Sequence, residues 1–313
     1  MANQDVFRFF RKVRMTTGEA VRVRQILRAS GTSMILPYDQ FVEHDNRHRE
    51  NDSGAEDPDY IMKLADVGGY NAVAVHYGVA KRYWSKLEGK VPLILKVNGK
   101  TSIPSQEEPL SVHTSWMEDA IRLGAVGIGY TMYYGSPRQD EDMPQLAELR
   151  RLCDDYGMPL IVWAYPRGIG IDAKGGPDSS YALESAARMA MEMGATIIKS
   201  NLPKTGKAGY MENEGIPKYF RDLEGDLQKL DPLAQKLERA KRVVEACQGV
   251  PVLFSGGSEI SDADLMENAS VCVEGGAFGF IFGRNMWKRP EKEALVITDQ
   301  LQTMLDQKTN PIF

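Results

Sequence analysis

The stretch SSYALESAARMAMEMGATIIKS, residues 179–200, contains one complete structural handover. From Ser179 to Met193 the apolar residues recur three and four apart, which gives a helix one buried stripe. Gly194 follows the last turn, and glycine tolerates the left-handed conformation that a helix C-terminus favours. Ala195–Ser200 is short and apolar on both faces, as a strand covered on both sides must be.

The same handover recurs along the chain. Leu123-Gly124-Ala125 and Gly275-Gly276-Ala277 repeat it, and Tyr156-Gly157-Met158-Pro159 adds proline as a stop. Asp142–Tyr156 is a second clear helical pattern. The apolar runs are Ser33–Tyr38, Asn71–His76, Pro92–Val97, Ala125–Met132, Leu160–Ala164, Ala195–Ser200, Val250–Ser255 and Phe278–Phe282. Doubly buried strands separated by helices imply a parallel sheet. Eight units within about 250 residues fit a closed (β/α)8 TIM barrel better than an open sheet. The expectation is one α/β barrel domain over residues 1–313. Residues 1–30 form a short N-terminal helical extension, and residues 201–231, which hold Gly206, Gly209 and Gly215 and no stable period, form a long loop after strand six.

Composition narrows the function. The 313 residues carry a net charge of -5, with 42% hydrophobic and 26% charged residues, ordinary values for a soluble domain. An acidic balance argues against nucleic acid as partner. The basic residues near the start, Arg8, Arg11, Lys12, Arg14, Arg22, Arg24 and Arg28, read as a solvated helix face. Cys153, Cys247 and Cys272 are odd in number and lack CxxC spacing, which disfavours a disulfide framework or structural zinc. No segment has the form of a signal peptide or a membrane span. A cytoplasmic protein with no metal, cofactor, nucleic acid or membrane partner is the simplest reading.

Barrels of this kind carry their chemistry at the C-terminal ends of the strands. Lys199 stands there after Ile197-Ile198. Lysine is rarely kept in a core unless it is paired or working, and a neutral amine in such a place can attack a carbonyl. On pattern alone, a salt-bridged lysine at the barrel mouth explains the position somewhat better. Ser255-Gly256-Gly257 and Gly283-Arg284 end strands seven and eight, where backbone N–H groups commonly cradle a phosphate. Glycine lets the backbone approach an anion closely, and Arg284 adds a charge-assisted bond. His44 and His48 lie four apart near Asp39, but with only four histidines in the chain a surface or substrate-contacting role suits them better than a zinc site.

These residues also carry a likeness. Leu36-Pro37-Tyr38-Asp39-Gln40 with Glu43-His44, Lys96-Val97-Asn98-Gly99-Lys100-Thr101, Gly127-Ile128-Gly129-Tyr130-Thr131, Trp163-Ala164-Tyr165-Pro166-Arg167-Gly168, Gly194–Lys199, Ser255-Gly256-Gly257 and Gly283-Arg284-Asn285 occur in this order. Together they resemble the archaeal-type class I fructose-bisphosphate aldolases. The resemblance implies a lyase that cleaves fructose 1,6-bisphosphate to dihydroxyacetone phosphate and glyceraldehyde 3-phosphate through a Schiff base. It implies Lys199 as the imine-forming residue, Tyr165 as the acid–base group beside the imine, and Asp39 as the group that handles the substrate hydroxyl proton. Ser255, Gly256, Gly257, Gly283 and Arg284 would hold a phosphate, with Trp163, Arg167 and His44 as further substrate contacts. It also implies a homo-oligomer acting in glycolysis or gluconeogenesis. A same-family aldolase or transaldolase for another phospho-ketose, a flavin mononucleotide-dependent barrel oxidoreductase and a sugar-phosphate-binding protein stay open as alternatives.

Overall fold

In a computed structural model, which describes residues 15–45, 53–257 and 259–307, the apolar runs form eight parallel strands. They are β1 (Ser33–Tyr38), β2 (Ala72–His76), β3 (Leu93–Lys96), β4 (Gly127–Tyr134), β5 (Leu160–Pro166), β6 (Ile197–Asn201), β7 (Val252–Ser255) and β8 (Gly279–Ile281). Each pairs with its neighbour in sequence, and β1 pairs with β8 through Ser33↔Gly279 and Ile35↔Ile281, so the barrel closes. The expected barrel is therefore observed. Strand ends differ from expectation by up to two residues.

The helices form the outer layer. After α1 (Thr17–Gln25) come α2 (Gln40–Glu43), α3 (Pro58–Val67), α4 (Tyr77–Arg82), α5 (Met117–Arg122), α6 (Gln139–Tyr156), α7 (Ile169–Asp172) and α8 (Ser180–Glu192). Then follow α9 (Lys218–Leu227), α10 (Pro232–Ala246), α11 (Asp262–Glu274), α12 (Arg284–Trp287) and α13 (Glu291–Asp306). In α8 the Ser179 hydroxyl accepts from the Ala182 N–H at 3.3 Å, which satisfies one of the unpaired donors of a first turn. Gly194 sits at φ +92 just past its end, the conformation that the handover required.

Two apolar layers result. One lies between strands and helices, with Leu36, Val75, Leu95, Val162, Leu183 and Phe254 among its members. The other fills the lumen with Ile35, Ala74, Ile94, Ile161, Trp163, Ile197 and Leu253. Helix α1 closes the lumen from below by inserting Val23 and Ile26. Burying such side chains stabilises by roughly 1.5–3 kcal/mol each. Polar contacts hold this floor in place: Thr196 Oγ1 donates to Glu19 Oε1 at 2.7 Å, and Arg22 Nη1 donates to the Gly157 carbonyl at 2.9 Å. Arg22 and Arg28 are thus anchored, Arg28 on Asp306 at 2.5 Å, rather than solvated. Arg8, Arg11, Lys12 and Arg14 lie outside the described residues.

One expectation is corrected. Residues 201–231, expected to be a loop, include helix α9. The helix is short, contains Gly225, and has an apolar stripe of only three residues, Phe220, Leu223 and Leu227, of which Leu227 alone is fully buried. A buried ion pair also holds it, in which Glu224 takes both terminal nitrogens of Arg239 at 2.9 Å. The same carboxylate accepts from the Gly206 N–H at 2.9 Å, and so ties the preceding loop to the barrel. A two-stranded antiparallel ribbon, Asn98–Gly99 with Val112–His113, was also not anticipated.

Candidate active site

Parallel strands bring the ends of β1, β3, β5, β6, β7 and β8 to one rim. A cavity of about 650 Å³ opens there. Asp39, His44, Tyr165, Arg167, Lys199, Ser255, Gly256, Gly257, Gly283 and Arg284 all line it. Ten of the eleven residues singled out from the sequence are therefore brought to one cavity.

The exception is Trp163. It does not line the cavity and has no exposed surface. Expected as a substrate contact, it lies in the lumen beneath two amines, with Lys199 Nζ 5.0 Å and Lys96 Nζ 5.6 Å from its ring. Gly129 makes room for the indole, since a Cβ at that position would lie 2.5 Å from the ring. A bulky flat residue at this level is what fills a barrel lumen and forces a long side chain upward.

The two lysines differ in what occupies their nitrogens. Lys96 has no exposed surface. Its Nζ pairs with Glu43 Oε1 and donates to the Asn98 carbonyl at 2.6 Å and to Asn98 Oδ1 at 3.0 Å. An ammonium has three donors, so Lys96 is saturated. Thr131 Oγ1 supports the pair by donating to Glu43 at 3.1 Å. Lys199 is 5% exposed and lines the cavity, and among the described residues no oxygen accepts from its Nζ. The salt-bridged alternative for Lys199 thus fails, and its amine is available to a ligand. Strand register puts Lys199 beside Trp163 and the Tyr165 ring 5.2 Å from Nζ.

Saturation of Lys96 makes a testable stability claim. Lys96→Met leaves Glu43 buried without its cation, and removing one partner of a buried pair typically costs about 3–5 kcal/mol. Burial already raises the Glu43 carboxyl, with the Asp39 charge adding to it against the pull of Lys96. In the variant the folded carboxyl binds a proton more readily than the unfolded one. The destabilisation is then largest at alkaline pH and shrinks as pH falls. Urea denaturation at pH 5 and pH 8 reads this directly, and an equal loss at both would contradict the charge argument.

Charge shapes the rest of the rim. Burial alone would raise the Asp39 carboxyl, but Lys199, Lys96, His76 and His44 together hold it below its ordinary value, so it is an anion at neutral pH. Burial pushes the His44 imidazole down to about 4, opposed by Asp39 and helped by Arg284, Lys199 and Arg167. His44 is thus neutral, suited to a hydrogen bond rather than to charge. Its neighbour in the metal reading, His48, lies outside the described residues. Arg167 stands 5.3 Å over the Tyr165 ring.

The glycine turns make a small cradle. Among the described residues no acceptor takes the N–H of Gly256, Gly257 or Gly283. Arg284 Nη2 donates to the Gly257 carbonyl at 2.8 Å, and Gly257 adopts φ +62, where a side chain would be strained. Asn285, quoted from the sequence but given no role, holds this cradle. Its amide donates to the Gly256 carbonyl at 3.3 Å and accepts from the Ile260 N–H at 3.1 Å. Asn201 takes the Ser255 hydroxyl across paired strands. Neither contact has a local signal, because each joins residues distant in sequence.

No group of three or more His, Cys, Asp or Glu among the described residues is arranged to hold a metal ion. No helix among them is long and apolar enough to cross a membrane.

Known proteins resemble this chain in sequence and fold. The family model of DeoC/LacD family aldolases matches residues 33–289. The class 1 fructose-bisphosphate aldolase of Thermoproteus tenax is 33% identical over 266 residues, covering 85% of this chain and 87% of that protein. The 2-amino-3,7-dideoxy-D-threo-hept-6-ulosonate synthase 1 of Archaeoglobus fulgidus is 28% identical over 271 residues, covering 86% and 85%. A solved archaeal fructose-1,6-bisphosphate aldolase, with its catalytic lysine covalently bound to the carbinolamine intermediate of the substrate, superposes with a TM-score of 0.74. Its identity is 29%, over 91% of this chain and 98% of that one.

Proposed function

The chain belongs to the DeoC/LacD aldolase family, and from that premise we propose that it cleaves fructose 1,6-bisphosphate through a Schiff base on Lys199. The observation that carries this reading is the contrast between two buried lysines: Lys96 has every donor engaged, and Lys199 faces the cavity with none engaged.

Carbon–carbon cleavage leaves an electron pair on carbon, and a protonated imine accepts it. In the proposed sequence Lys199 Nζ adds to the ketose carbonyl to give a carbinolamine, which loses water to become the iminium. Asp39, held as an anion by the surrounding cations, takes the proton from the hydroxyl on the carbon that will leave. The bond between that carbon and its neighbour breaks, its electrons enter the iminium to form an enamine, and the aldehyde phosphate departs. Tyr165 protonates the enamine carbon, and water hydrolyses the new iminium to release dihydroxyacetone phosphate and free Lys199. The unengaged N–H groups of Gly256, Gly257 and Gly283, with Ser255 and Arg284, bind the ketose phosphate. Arg167 and His44 contact the rest of the chain of the substrate. The reading carries with it a cytoplasmic, homo-oligomeric enzyme of glycolysis or gluconeogenesis.

Arg284→Ala is expected to raise KM for the bisphosphate roughly tenfold while kcat falls less, because a phosphate is gripped alike before and during the reaction. An unchanged KM removes Arg284 from the phosphate site. The substrate itself is tested by product analysis over a panel of phospho-ketoses. The highest kcat/KM on fructose 1,6-bisphosphate, with both triose phosphates as products, supports the reading. A tenfold or greater preference for another phospho-ketose overturns this choice of substrate.

A further inference from the structure

One polar group in the cavity is used by no step above. Gln40 directly follows Asp39, lines the same cavity and is only 5% exposed. Its side-chain Nε2 is buried and has no hydrogen-bond partner among the described residues. Its main chain is occupied in α2, where the Gln40 carbonyl accepts from the His44 N–H at 2.8 Å. The unpartnered group is therefore the side-chain amide alone.

An amide donor left without an acceptor out of water is destabilising, and an apolar side chain of similar length would fit a buried position at less cost. Because the residue lines a binding cavity, a ligand there can supply the missing acceptor once the amide turns toward it. The neutral amide also suits its neighbours. Asp39 and Glu43 already bring two carboxyl groups to this end of β1. A third would compete for the same cations and repel a phosphorylated ligand, whereas an amide donates without adding charge.

We infer that Gln40 is a specificity-determining residue, whose side-chain amide donates a hydrogen bond to a hydroxyl oxygen of the substrate carbon chain beside the carbon served by Asp39. The ligand class is a polyhydroxylated phospho-ketose, as opposed to its deoxy analogue. The inference rests on the aldolase reading and deepens it. The donor is already unpaired and out of water in the free protein, so a hydroxylated partner gains a bond there and a deoxy analogue gains none. Replacing the donor by an apolar side chain removes that gain and with it the discrimination.

The test runs the reaction in the direction of synthesis on the native protein, Gln40→Leu and Gln40→Met. Two discrimination ratios are measured as kcat/KM. One compares glyceraldehyde 3-phosphate with its analogue lacking the 2-hydroxyl. The other compares dihydroxyacetone phosphate with hydroxyacetone phosphate. The native protein is expected to favour the hydroxylated partner, and both variants are expected to lose roughly tenfold to hundredfold of one ratio. The loss falls on the hydroxylated partner, while the deoxy analogue reacts about as before. Two variants of different shape guard against a packing artefact, since a purely structural defect lowers all four rates together and leaves the ratios alone. Both ratios unchanged in both variants overturn the role of Gln40. Failure of the underlying reading looks different: the native protein then forms no ketose phosphate at all from the two triose phosphates.

Discussion

Lys199→Arg is expected to abolish aldol cleavage, with a fall of roughly 10⁵–10⁶-fold, the scale seen when a covalent nucleophile is removed. Arginine keeps the positive charge but cannot supply a neutral amine at physiological pH. Lys199 sits above Trp163 on a strand whose apolar residues Ile197 and Ile198 have no exposed surface. The burial of Ile197 and Ile198 does not involve Nζ, and a guanidinium can also stack over the Trp163 ring, so the barrel is expected to survive the change. Circular dichroism and a thermal melt near the native value establish that the loss is chemical. Lys96 predicts the opposite pattern, because its replacement removes a buried ion pair and lowers stability. The two lysines are thus separable by experiment: one loses activity at constant fold, the other loses fold. Full activity in Lys199→Arg would remove the Schiff base from the account.

Tyr165→Phe has the second largest expected effect. The phenol lies on β5, next to the strand that carries Lys199, and its ring is 5.2 Å from Nζ. Register also sets Tyr133 of β4 beside it. Burial and the charge on Glu43 raise the Tyr133 phenol well above its ordinary value, so Tyr133 is a poor substitute as a proton carrier. General acid–base groups typically contribute about 10²–10⁴-fold, and a loss in that range is expected for Tyr165→Phe. The variant should still form the imine, since the amine that attacks is untouched. Single-turnover experiments would then find the covalent intermediate accumulating while product release stalls. A variant that turns over at the native rate makes the Tyr165 ring a packing element under Arg167.

Much of this site was legible from the chain because parallel barrels convert sequence order into position. Eight apolar runs fixed the closed sheet, and each strand end then supplied its rim residues: Asp39, Tyr165, Lys199, Ser255 and Gly283. Direction along a strand was harder to read. Trp163 and Tyr165 are two apart, so both face the same side, yet depth separates them: Trp163 is sealed in the lumen and Tyr165 reaches the cavity. Periodicity reports face but not height, and height depends on the stagger of neighbouring strands. Partnerships were harder still. Lys96 and Lys199 look alike locally, each a lysine after an apolar pair, and only the distant Glu43 and Asn98 saturate the first. Helix α9 escaped for a related reason. Its apolar stripe is only three residues long, and its buried ion pair comes from Arg239 of the following helix. Gln40 was in view beside Asp39, but its unpartnered amide exists only once the surrounding elements have removed water from it.

The central claim, that the amine of Lys199 and not that of Lys96 becomes covalently attached to the ketose, is tested most directly by trapping. The native protein is incubated with dihydroxyacetone phosphate, reduced with borohydride, digested and mapped by mass spectrometry. A single reduced adduct on the peptide carrying Lys199, with Lys96 unmodified, is the predicted result. An adduct on Lys96, or none on any lysine under conditions where the protein turns over, would contradict it.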